Sequence, residues 1–201
     1  MDIDIREEPI TTISEYAGVA IAFEIHSVLD IAVQDDGVAV AVLAERALEV
    51  PYVKDYDALR GQHPSNWATS FDLSNWGLLT ARSSGRRVGG AVIAFNTPGV
   101  TMLDDRSDLA VLWDLRVAPD VRHEGIGSTL FCAVAAWGAA RGCRDLKVET
   151  QNTNVAACRF YERQGCVLGS IRRFAYPELP DEIQLLWYKD LSHLSASAGP
   201  T

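Results

Sequence analysis

The feature that most constrains the fold is a strand, a glycine-containing turn and a helix that follow one another in the second half of the chain. Leu109–Val117 is an apolar run of strand length, and Pro119 ends it. From Ile126 to Trp137 apolar residues recur every three or four positions, and Gly142 is placed to end the helix that this spacing predicts. A strand that runs directly into a helix favours an α/β domain whose connecting turn can hold a ligand.

The connecting turn contains two glycines separated by one residue, in the segment Arg122-His123-Glu124-Gly125-Ile126-Gly127-Ser128. Glycines let the backbone approach a bulky anion, and the N–H groups at the start of a helix favour negative charge. A pyrophosphate bound at this turn is one interpretation, and an ordinary tight turn is the other. The segment lacks the third glycine of a dinucleotide-binding turn and the Gly-Lys-Ser/Thr ending of a nucleoside-triphosphate loop.

Two β-hairpins are predicted before this strand. The apolar runs Val19–Ile25 and Val38–Leu43 flank the turn signal Asp35-Asp36-Gly37 and indicate a long hairpin. A helix over Val38–Leu48 is the alternative to the second strand, because alanine, leucine and glutamate favour helices. Trp76–Arg82 and Val88–Phe95 predict the second hairpin.

The segment between the hairpins, Tyr52–Trp76, mixes aromatic and polar residues and is expected to be irregular. Its aromatic side chains either line a pocket or anchor a loop onto the core. After residue 142 the pattern predicts a strand at Leu146–Thr150, a helix at Val155–Gln164, and strands at Cys166–Ser170 and Ile183–Tyr188. We expect residues 1–190 to form one domain and residues 191–201 to form a disordered tail.

The charge of the chain limits its partners. The formal net charge of the 201 residues is -9, which argues against a general nucleic-acid binder or a protein of anionic membrane surfaces. Residues 1–110 carry 17 acidic and 8 basic side chains, whereas residues 111–201 carry 10 of each. A locally basic segment, Arg116–Arg173, therefore lies in an acidic protein. This division suggests that an anion and a cation bind to different parts of the chain.

The cysteines and the hydrophobic runs indicate a cytoplasmic protein. The four cysteines form no CxxC pair, and the N-terminus lacks a secretory signal, so reduced thiols fit best. Cys132 and Cys158 both fall in predicted helices and are expected to be buried filler rather than nucleophiles. No apolar run is long enough to span a bilayer, and the four histidines show no metal-ligand spacing, so we expect neither a membrane nor a metal partner.

Two motifs in the second half resemble the GNAT superfamily of N-acetyltransferases. Val117-Ala118-Pro119 followed by Arg122-x-x-Gly125-x-Gly127 resembles the acetyl-coenzyme A signature of the superfamily. Asn154-x-x-Ala157-x-x-Phe160-Tyr161-x-x-x-Gly165 resembles its second motif, at the expected distance. The resemblance implies an α/β (α+β) fold with a mixed, mostly antiparallel, splayed β-sheet flanked by helices.

Further segments narrow the resemblance to the streptothricin acetyltransferases, over residues 76–190. These segments are Trp113–Val117, Lys147–Asn154, Arg173–Glu182 and Leu185–Lys189. The resemblance implies that acetyl-coenzyme A is the cosubstrate and that it contacts the end of the strand, the glycine-containing turn and the start of the second helix. The cofactor-binding residues implied in this way are Leu115, Arg116, Val117, Arg122, His123, Glu124, Gly125, Ile126, Gly127, Ser128, Asn154 and Ala157.

The resemblance also suggests catalytic residues. Tyr161 matches the usual general acid of the superfamily, which protonates the leaving thiolate, although a tyrosine that merely packs its helix is the alternative. Glu149 and Asp114 are the candidate bases for the attacking amine. Alternation along the strand places Asp114 and Arg116 on one face, so an internal salt bridge is the competing interpretation for Asp114. Asn154 is expected to cap its helix and to bind the pantetheine arm, and a cap alone is the alternative.

The expected acceptor is a small cationic primary amine, and a streptothricin-type antibiotic is the leading candidate, so that acetylation would confer resistance. The candidate acceptor-binding residues are Glu24, Trp76, Tyr176, Glu178, Asp181 and Glu182. The alternative for each acidic residue is a solvated surface charge. A polyamine, a protein lysine or another metabolite amine is the second choice of acceptor. A non-catalytic coenzyme A sensor is the alternative from another class, and a homodimer stays open.

Overall fold

The computed structural model describes residues 2–35, 39–59 and 61–195, which form two compact units. Among these residues, unit 1 comprises 2–22, 55–59, 61–148 and 188–195, and unit 2 comprises 23–35, 39–54 and 149–187. Each unit is built from segments that are distant in sequence. The prediction of a single domain over residues 1–190 stays a prediction.

The described part of the chain contains nine strands and five α-helices. The strands are β1 (Asp4–Glu8), β2 (Phe23–Asp35), β3 (Ala39–Lys54), β4 (Gly77–Ser83), β5 (Arg86–Phe95), β6 (Leu109–Val117), β7 (Asp145–Gln151), β8 (Val167–Arg172) and β9 (Gln184–Asp190). The helices are α1 (Ile13–Tyr16), α2 (Trp67–Ser70), α3 (Ile126–Ala140), α4 (Val155–Arg163) and α5 (Ser192–Ser195). Short 3₁₀ turns lie at Ile10–Thr12, Tyr56–Ala58, Pro64–Asn66, Thr101–Leu103 and Pro119–Val121.

The strands form a seven-stranded sheet of order β1-β4-β5-β6-β7-β9-β8 and a separate two-stranded hairpin, β2-β3. β1, β4, β5 and β6 pair antiparallel, whereas β6 and β7 pair parallel. The parallel pair needs a crossover connection, and α3 supplies it. The mixed, mostly antiparallel sheet with flanking helices confirms the predicted fold class.

The helix predicted from Ile126 is present and covers 15 residues. Its apolar side packs against β4, β5 and β6 and buries Ile126, Leu130 and Val134. The chain leaves the helix through Gly142, whose φ of 79° lies in the left-handed region that glycine adopts without strain. The apolar period and the terminal glycine therefore fixed this element locally.

The aromatic residues of the segment between the hairpins anchor it onto the core of unit 1. Trp67, Phe71 and Trp76 surround Trp113 of β6, with ring centroids 6.3, 5.1 and 5.0 Å from the Trp113 ring. The indole N–H of Trp76 donates to Thr97 Oγ1 at 3.1 Å. Of the two interpretations of this segment, the structure shows the loop anchor for these residues.

The first third of the chain contains both confirmed and unpredicted elements. β2 and β3 form the predicted long hairpin, so the helical alternative for its second strand is wrong; Asp36, Gly37 and Val38 of its turn lie outside the described residues. β1 and the helical turns over residues 10–16 were not predicted. Residues 192–195, at the start of the expected disordered tail, form the short helix α5, and residues 196–201 lie outside the described residues.

Candidate active site

One edge of β6 is paired over only part of its length. The parallel register with β7 runs from Leu109↔Asp145 to Leu112↔Val148 and ends there. A bulge opposite Ile93 follows at Trp113, and the rest of β6 pairs with β5 through Gly89↔Val117. Within the described residues, the second half of β6 is thus paired on one side. Its other edge leaves backbone N–H and C=O groups outside the sheet pairing, as the predicted splayed sheet requires, and the Val117 carbonyl accepts from Arg122.

The turn after β6 leads this edge into the N-terminus of α3. Gly125 precedes the helix with a φ of 84°, and His123 also has a positive φ, of 68°. His123, Glu124 and Gly125 are exposed. The first N–H groups of an α-helix have no partner within the helix, and they attract an anion together with the helix dipole. The predicted phosphate-binding turn is thus exposed at the start of α3, and its contact with a phosphate stays a prediction.

Arg122 connects this turn to the backbone of unit 1. Its Nε donates to the carbonyl of Val117 at 3.0 Å, and its Nη2 donates to the carbonyls of Ala22 at 3.0 Å and Ala20 at 3.4 Å. Burial lowers the pKa of the Arg122 guanidinium from its ordinary value. These bonds give Arg122 a structural task, and its predicted contact with the cofactor stays a prediction.

The side chains of Asp114 and Arg116 form a buried network in unit 1. Arg116 donates from Nε and Nη2 to Asp114 at 2.8–3.1 Å, and from Nη1 and Nη2 to Asp57 at 2.7 and 2.8 Å. The Tyr16 hydroxyl donates to Asp114 Oδ1 at 2.6 Å. Burial opposes the charge on Arg116, but the hydrogen bonds to Asp114 and Asp57 outweigh it and raise the pKa of the guanidinium. The internal salt bridge, the competing interpretation for Asp114, is present.

Gly90 makes room for this network. A Cβ added at Gly90 would lie 2.8 Å from the Tyr16 ring and 2.7 Å from the carbonyl oxygen of Leu79. Burial and the neighbouring Asp114 raise the pKa of the Tyr16 phenol well above its usual value, so it remains a hydrogen-bond donor at neutral pH. The side chain of Arg116 is thereby fixed, while its backbone pairs with Gly90 of β5.

In unit 2, Glu149 lies within a cluster of hydrogen-bond donors. Its Oε1 accepts from the Tyr176 hydroxyl at 2.5 Å and from Gln151 Nε2 at 3.2 Å, and its Oε2 accepts from Gln184 Nε2 at 2.7 Å. Burial, followed by the charge of Glu149, raises the pKa of the Tyr176 phenol above its usual value. The structure thus brings a candidate base and a candidate acceptor residue together.

Helix α4 carries the other candidate catalytic residue. Asn154 Oδ1 accepts from the N–H of Ala157 at 3.1 Å, so Asn154 is the N-cap of the helix. Tyr161 lies on the same helix with 7% of its surface exposed, and its ring packs edge-on against Phe160. The capping interpretation of Asn154 is confirmed, whereas its contact with pantetheine and the acid role of Tyr161 stay predictions.

The other residues predicted to bind the acceptor differ in their exposure and in their partners. Glu182 is buried in unit 2, where Lys54 Nζ lies 2.5 Å from its carboxylate and neutralises it. Glu24 is exposed, with its Oε2 3.0 Å from His26 Nε2. Glu178 and Asp181 are exposed, and Trp76 is buried in the aromatic core of unit 1 with its N–H already bonded.

The cysteines divide by exposure. Cys158 is buried, and burial raises the pKa of its thiol, which confirms the interpretation as filler. That interpretation was wrong for Cys132, which is exposed because it lies on the side of α3 opposite Leu130 and Val134. Residues 2–35, 39–59 and 61–195 contain no group of three His, Cys, Asp or Glu side chains arranged to hold a metal ion. No helix in these ranges is long and apolar enough to cross a membrane.

Comparison with known proteins decides the family. The model of the Acetyltransferase (GNAT) family matches residues 28–166, which is more than half of the chain. The chain belongs to the GNAT acetyltransferase family. The one-sided edge of β6, the turn with Gly125 and the capped helix α4 are thus features of a GNAT protein.

Among curated proteins, this GNAT chain is similar to streptothricin acetyltransferase A of Bacillus subtilis (strain 168), with 32% identity over 81 residues, 39% of this chain and 47% of the relative. It is also similar to streptothricin acetyltransferase of Escherichia coli, with 32% identity over 85 residues, 41% of this chain and 49% of the relative. The chain thus spans about half the length of the curated relatives it matches.

Solved structures confirm the GNAT fold over nearly the whole chain. A candidate streptothricin acetyltransferase from Bacillus anthracis str. Ames, solved in complex with acetyl coenzyme A, gives a TM-score of 0.74 at 22% identity and covers 94% of this chain and 99% of its own. Nourseothricin acetyltransferase gives a TM-score of 0.72 at 18% identity, covering 95% and 99%.

Several residues of this GNAT protein's candidate site were missed from the sequence. Gln151 lies two positions after Glu149, so strand alternation could have placed both on one face of β7. Asp57, Lys54 and Gln184 carry no local signal, because each meets its partner only through tertiary folding.

Proposed function

We propose that this GNAT protein is an acetyl-coenzyme A-dependent N-acetyltransferase that acts on a primary amine of a small cationic acceptor, a streptothricin-type antibiotic. The observation that carries the proposal is the one-sided edge of β6 leading into the N-terminus of α3. The similarity to streptothricin acetyltransferases supports the choice of acceptor.

The residues of unit 1 fit acetyl-coenzyme A, which supplies the acetyl thioester when it is bound. Its pyrophosphate needs N–H donors and positive potential, and the turn with Gly125 offers both at the start of α3. Its pantetheine amides need backbone donors and acceptors, and the edge of β6 that does not pair with β5 offers them at Leu115 and Val117, where the Val117 carbonyl also accepts from Arg122. The open space around Gly125, where an added Cβ would meet no atom within 4 Å, is consistent with a ligand at this turn.

In this proposal, two side chains of unit 2 move protons. The Tyr161 hydroxyl supplies the proton that the leaving thiolate requires, which is general acid catalysis. Glu149 accepts a proton from the ammonium group of the acceptor, directly or through water, because an ammonium group is not a nucleophile. Asp114 is assigned to structure, since Arg116 and Tyr16 already occupy its carboxylate.

The charge distribution supports a cationic acceptor. The excess of acidic residues lies entirely in the first 110 residues, whereas the segment that fits the cofactor is locally basic. Acetylation replaces an ammonium by a neutral amide and weakens binding to an anionic target, so we expect antibiotic resistance. The free cysteines are consistent with a cytoplasmic location.

The test measures coenzyme A release from acetyl-coenzyme A with streptothricin and with a panel that includes a polyamine, a lysine peptide and aminoglycosides. Cys132→Ser protein is used because the exposed Cys132 thiol would react with the thiol reagent. Release of coenzyme A with streptothricin supports the proposal. Release only with another amine would overturn the choice of streptothricin and identify that amine as the acceptor. Tight binding of acetyl-coenzyme A without release for any amine would identify a sensor.

A growth test examines the proposed role in a cell. Bacteria that express the chain are expected to grow at streptothricin concentrations that stop cells with an empty vector. Tyr161→Phe is the matched control, since it keeps the packing of α4 and removes the proposed acid. Equal protection by both proteins would mean that resistance does not depend on acetyl transfer as described.

A further inference from the structure

The two carboxylate oxygens of Glu149 accept different numbers of hydrogen bonds. A carboxylate offers about four lone-pair directions, two on each oxygen. Oε1 accepts from both Tyr176 and Gln151, which also donates to the Tyr176 hydroxyl at 2.8 Å. Oε2 accepts from Gln184 Nε2 at 2.7 Å, its one partner among the described residues. Oε2 is therefore the oxygen that still has a direction for an N–H of the acceptor.

The amide of Gln184 can take only one orientation beside this carboxylate. Reversal would place Gln184 Oε1 against Glu149 Oε2, two acceptors with no proton between them. In the orientation that remains, Gln184 Oε1 is buried and has no hydrogen-bond partner among the described residues. Gln184 itself is 8% exposed. An unpaired buried carbonyl lowers the stability of a fold. Gln184 therefore keeps its hydrogen bond to Glu149 although this orientation leaves its own carbonyl without a partner among the described residues.

We propose that Gln184 is a positioning residue for acetyl transfer, whose Nε2–H fixes Glu149 Oε2 in the orientation that receives the acceptor amine. The inference rests on the proposed function, because it requires Glu149 to be the carboxylate that meets the amine. Gln184 acts through Glu149. A misplaced carboxylate lowers the rate of the reaction even when it stays near the substrate.

Tyr176 is the titratable side chain that faces Glu149 among the described residues of unit 2. Burial and the charge of Glu149 raise the pKa of its phenol, so it stays a donor across the neutral range. Tyr176 and Gln151 therefore still hold Oε1 when Gln184 is replaced. Gln184 also lowers the pKa of the Tyr176 phenol as a hydrogen-bond neighbour, whereas its bond to the Glu149 carboxylate is made to Oε2.

The decisive variant is Gln184→Met, which keeps the length of the side chain and removes its donor and its unpaired carbonyl. We expect kcat/KM for the acceptor to fall about 10-fold, the typical effect of one hydrogen bond to a charged group. The KM for acetyl-coenzyme A should stay unchanged. The acidic limb of the pH–rate profile should move to higher pH, because the ionised carboxylate has lost a donor. The Tm should stay the same or rise.

Thr153→Val is the matched control. Thr153 Oγ1 is also buried without a partner among the described residues, and no hydrogen bond of the structure joins it to the Glu149 cluster. This variant removes an unpaired hydroxyl of unit 2 and keeps the shape of the side chain. Its kinetics and its pH profile should match those of the unmodified protein, whereas its Tm should respond like that of Gln184→Met.

A second variant keeps the proposal testable if Gln184→Met does not fold. Gln184→Glu retains the shape but sets a like charge against Oε2, so its acidic limb should lie at higher pH than that of the unmodified protein. An unchanged limb and kcat/KM in either variant would overturn the inference, as would activity lost only in proportion to a fallen Tm. An unmodified protein that acetylates no amine would instead overturn the proposed function.

Discussion

A structural and a catalytic role for the buried carboxylate of Asp114 predict different effects of a single substitution. We consider Asp114→Asn, which keeps the shape of the side chain and removes its charge. Both oxygens of Asp114 accept hydrogen bonds from Arg116, and Oδ1 also accepts from the Tyr16 hydroxyl. Either orientation of the new amide therefore sets an N–H group against a donor of Arg116.

The magnitude follows from the burial of the pair. The side chain of Arg116 is 0% exposed and that of Asp114 is 7% exposed, so water cannot replace the lost partner. Breaking a buried ion pair costs about 3–5 kcal/mol. We expect the lower end, about 3 kcal/mol, because Asp57 still binds Arg116. For a chain of this length that loss lowers the Tm by roughly 6–12 °C.

The assay combines thermal unfolding with kinetics at a temperature where the variant is folded. We expect kcat/KM to stay within about threefold of the unmodified protein, since a lost general base costs about 10²- to 10⁴-fold. The control is Asp120→Asn, whose partner Arg86 makes a similar two-bond pair at 56% exposure on each side chain, so water can replace the lost partner and the Tm should change little. A Tm within 2 °C of the control, or a 100-fold loss of rate, would refute the assignment.

Three further changes test other parts of the molecule. Tyr161→Phe should lower kcat about 100-fold with unchanged affinity for acetyl-coenzyme A, measured by calorimetry; an unchanged kcat would remove the proposed acid. Gly125→Ala should lower the free energy of unfolding by roughly 1–2 kcal/mol, because its φ of 84° strains an alanine, and should raise the KM for acetyl-coenzyme A. Its control is Gly85→Ala, at a φ of 82°, which should lower the stability equally and leave this KM unchanged. A thiol reagent at pH 8 should label Cys132 first, because burial raises the pKa of the Cys143 thiol to about 11, and Cys132→Ser should abolish the fast phase.

The second half of the chain could be predicted because its elements depend on local rules. The apolar period from Ile126, the glycines at 125 and 142 and the alternation before Pro119 each limit the backbone within a few residues. These features predicted β6, its turn and α3 with bounds that differ little from the structure. The first third was harder, because β1 is short and polar, and its place in the sheet is decided by its pairing with β4.

The candidate site was predictable in its residue types but not in its contacts. Strand alternation identified Asp114 and Arg116 as neighbours, and the helix start identified Asn154 as a cap. The mistaken burial of Cys132 arose because membership of a helix does not specify which side faces the core.

The sequence by itself determined the strand–turn–helix unit, the acidic balance and the chemical groups available, because these depend on neighbouring residues or on composition. The tertiary structure alone decided which partner each charged group has. Asp114 meets Tyr16 across 98 positions, Arg116 meets Asp57 across 59 and Gln184 meets Glu149 across 35. A buried carboxylate is held by whichever donor the fold brings to it, and that donor cannot be identified until distant segments pack together.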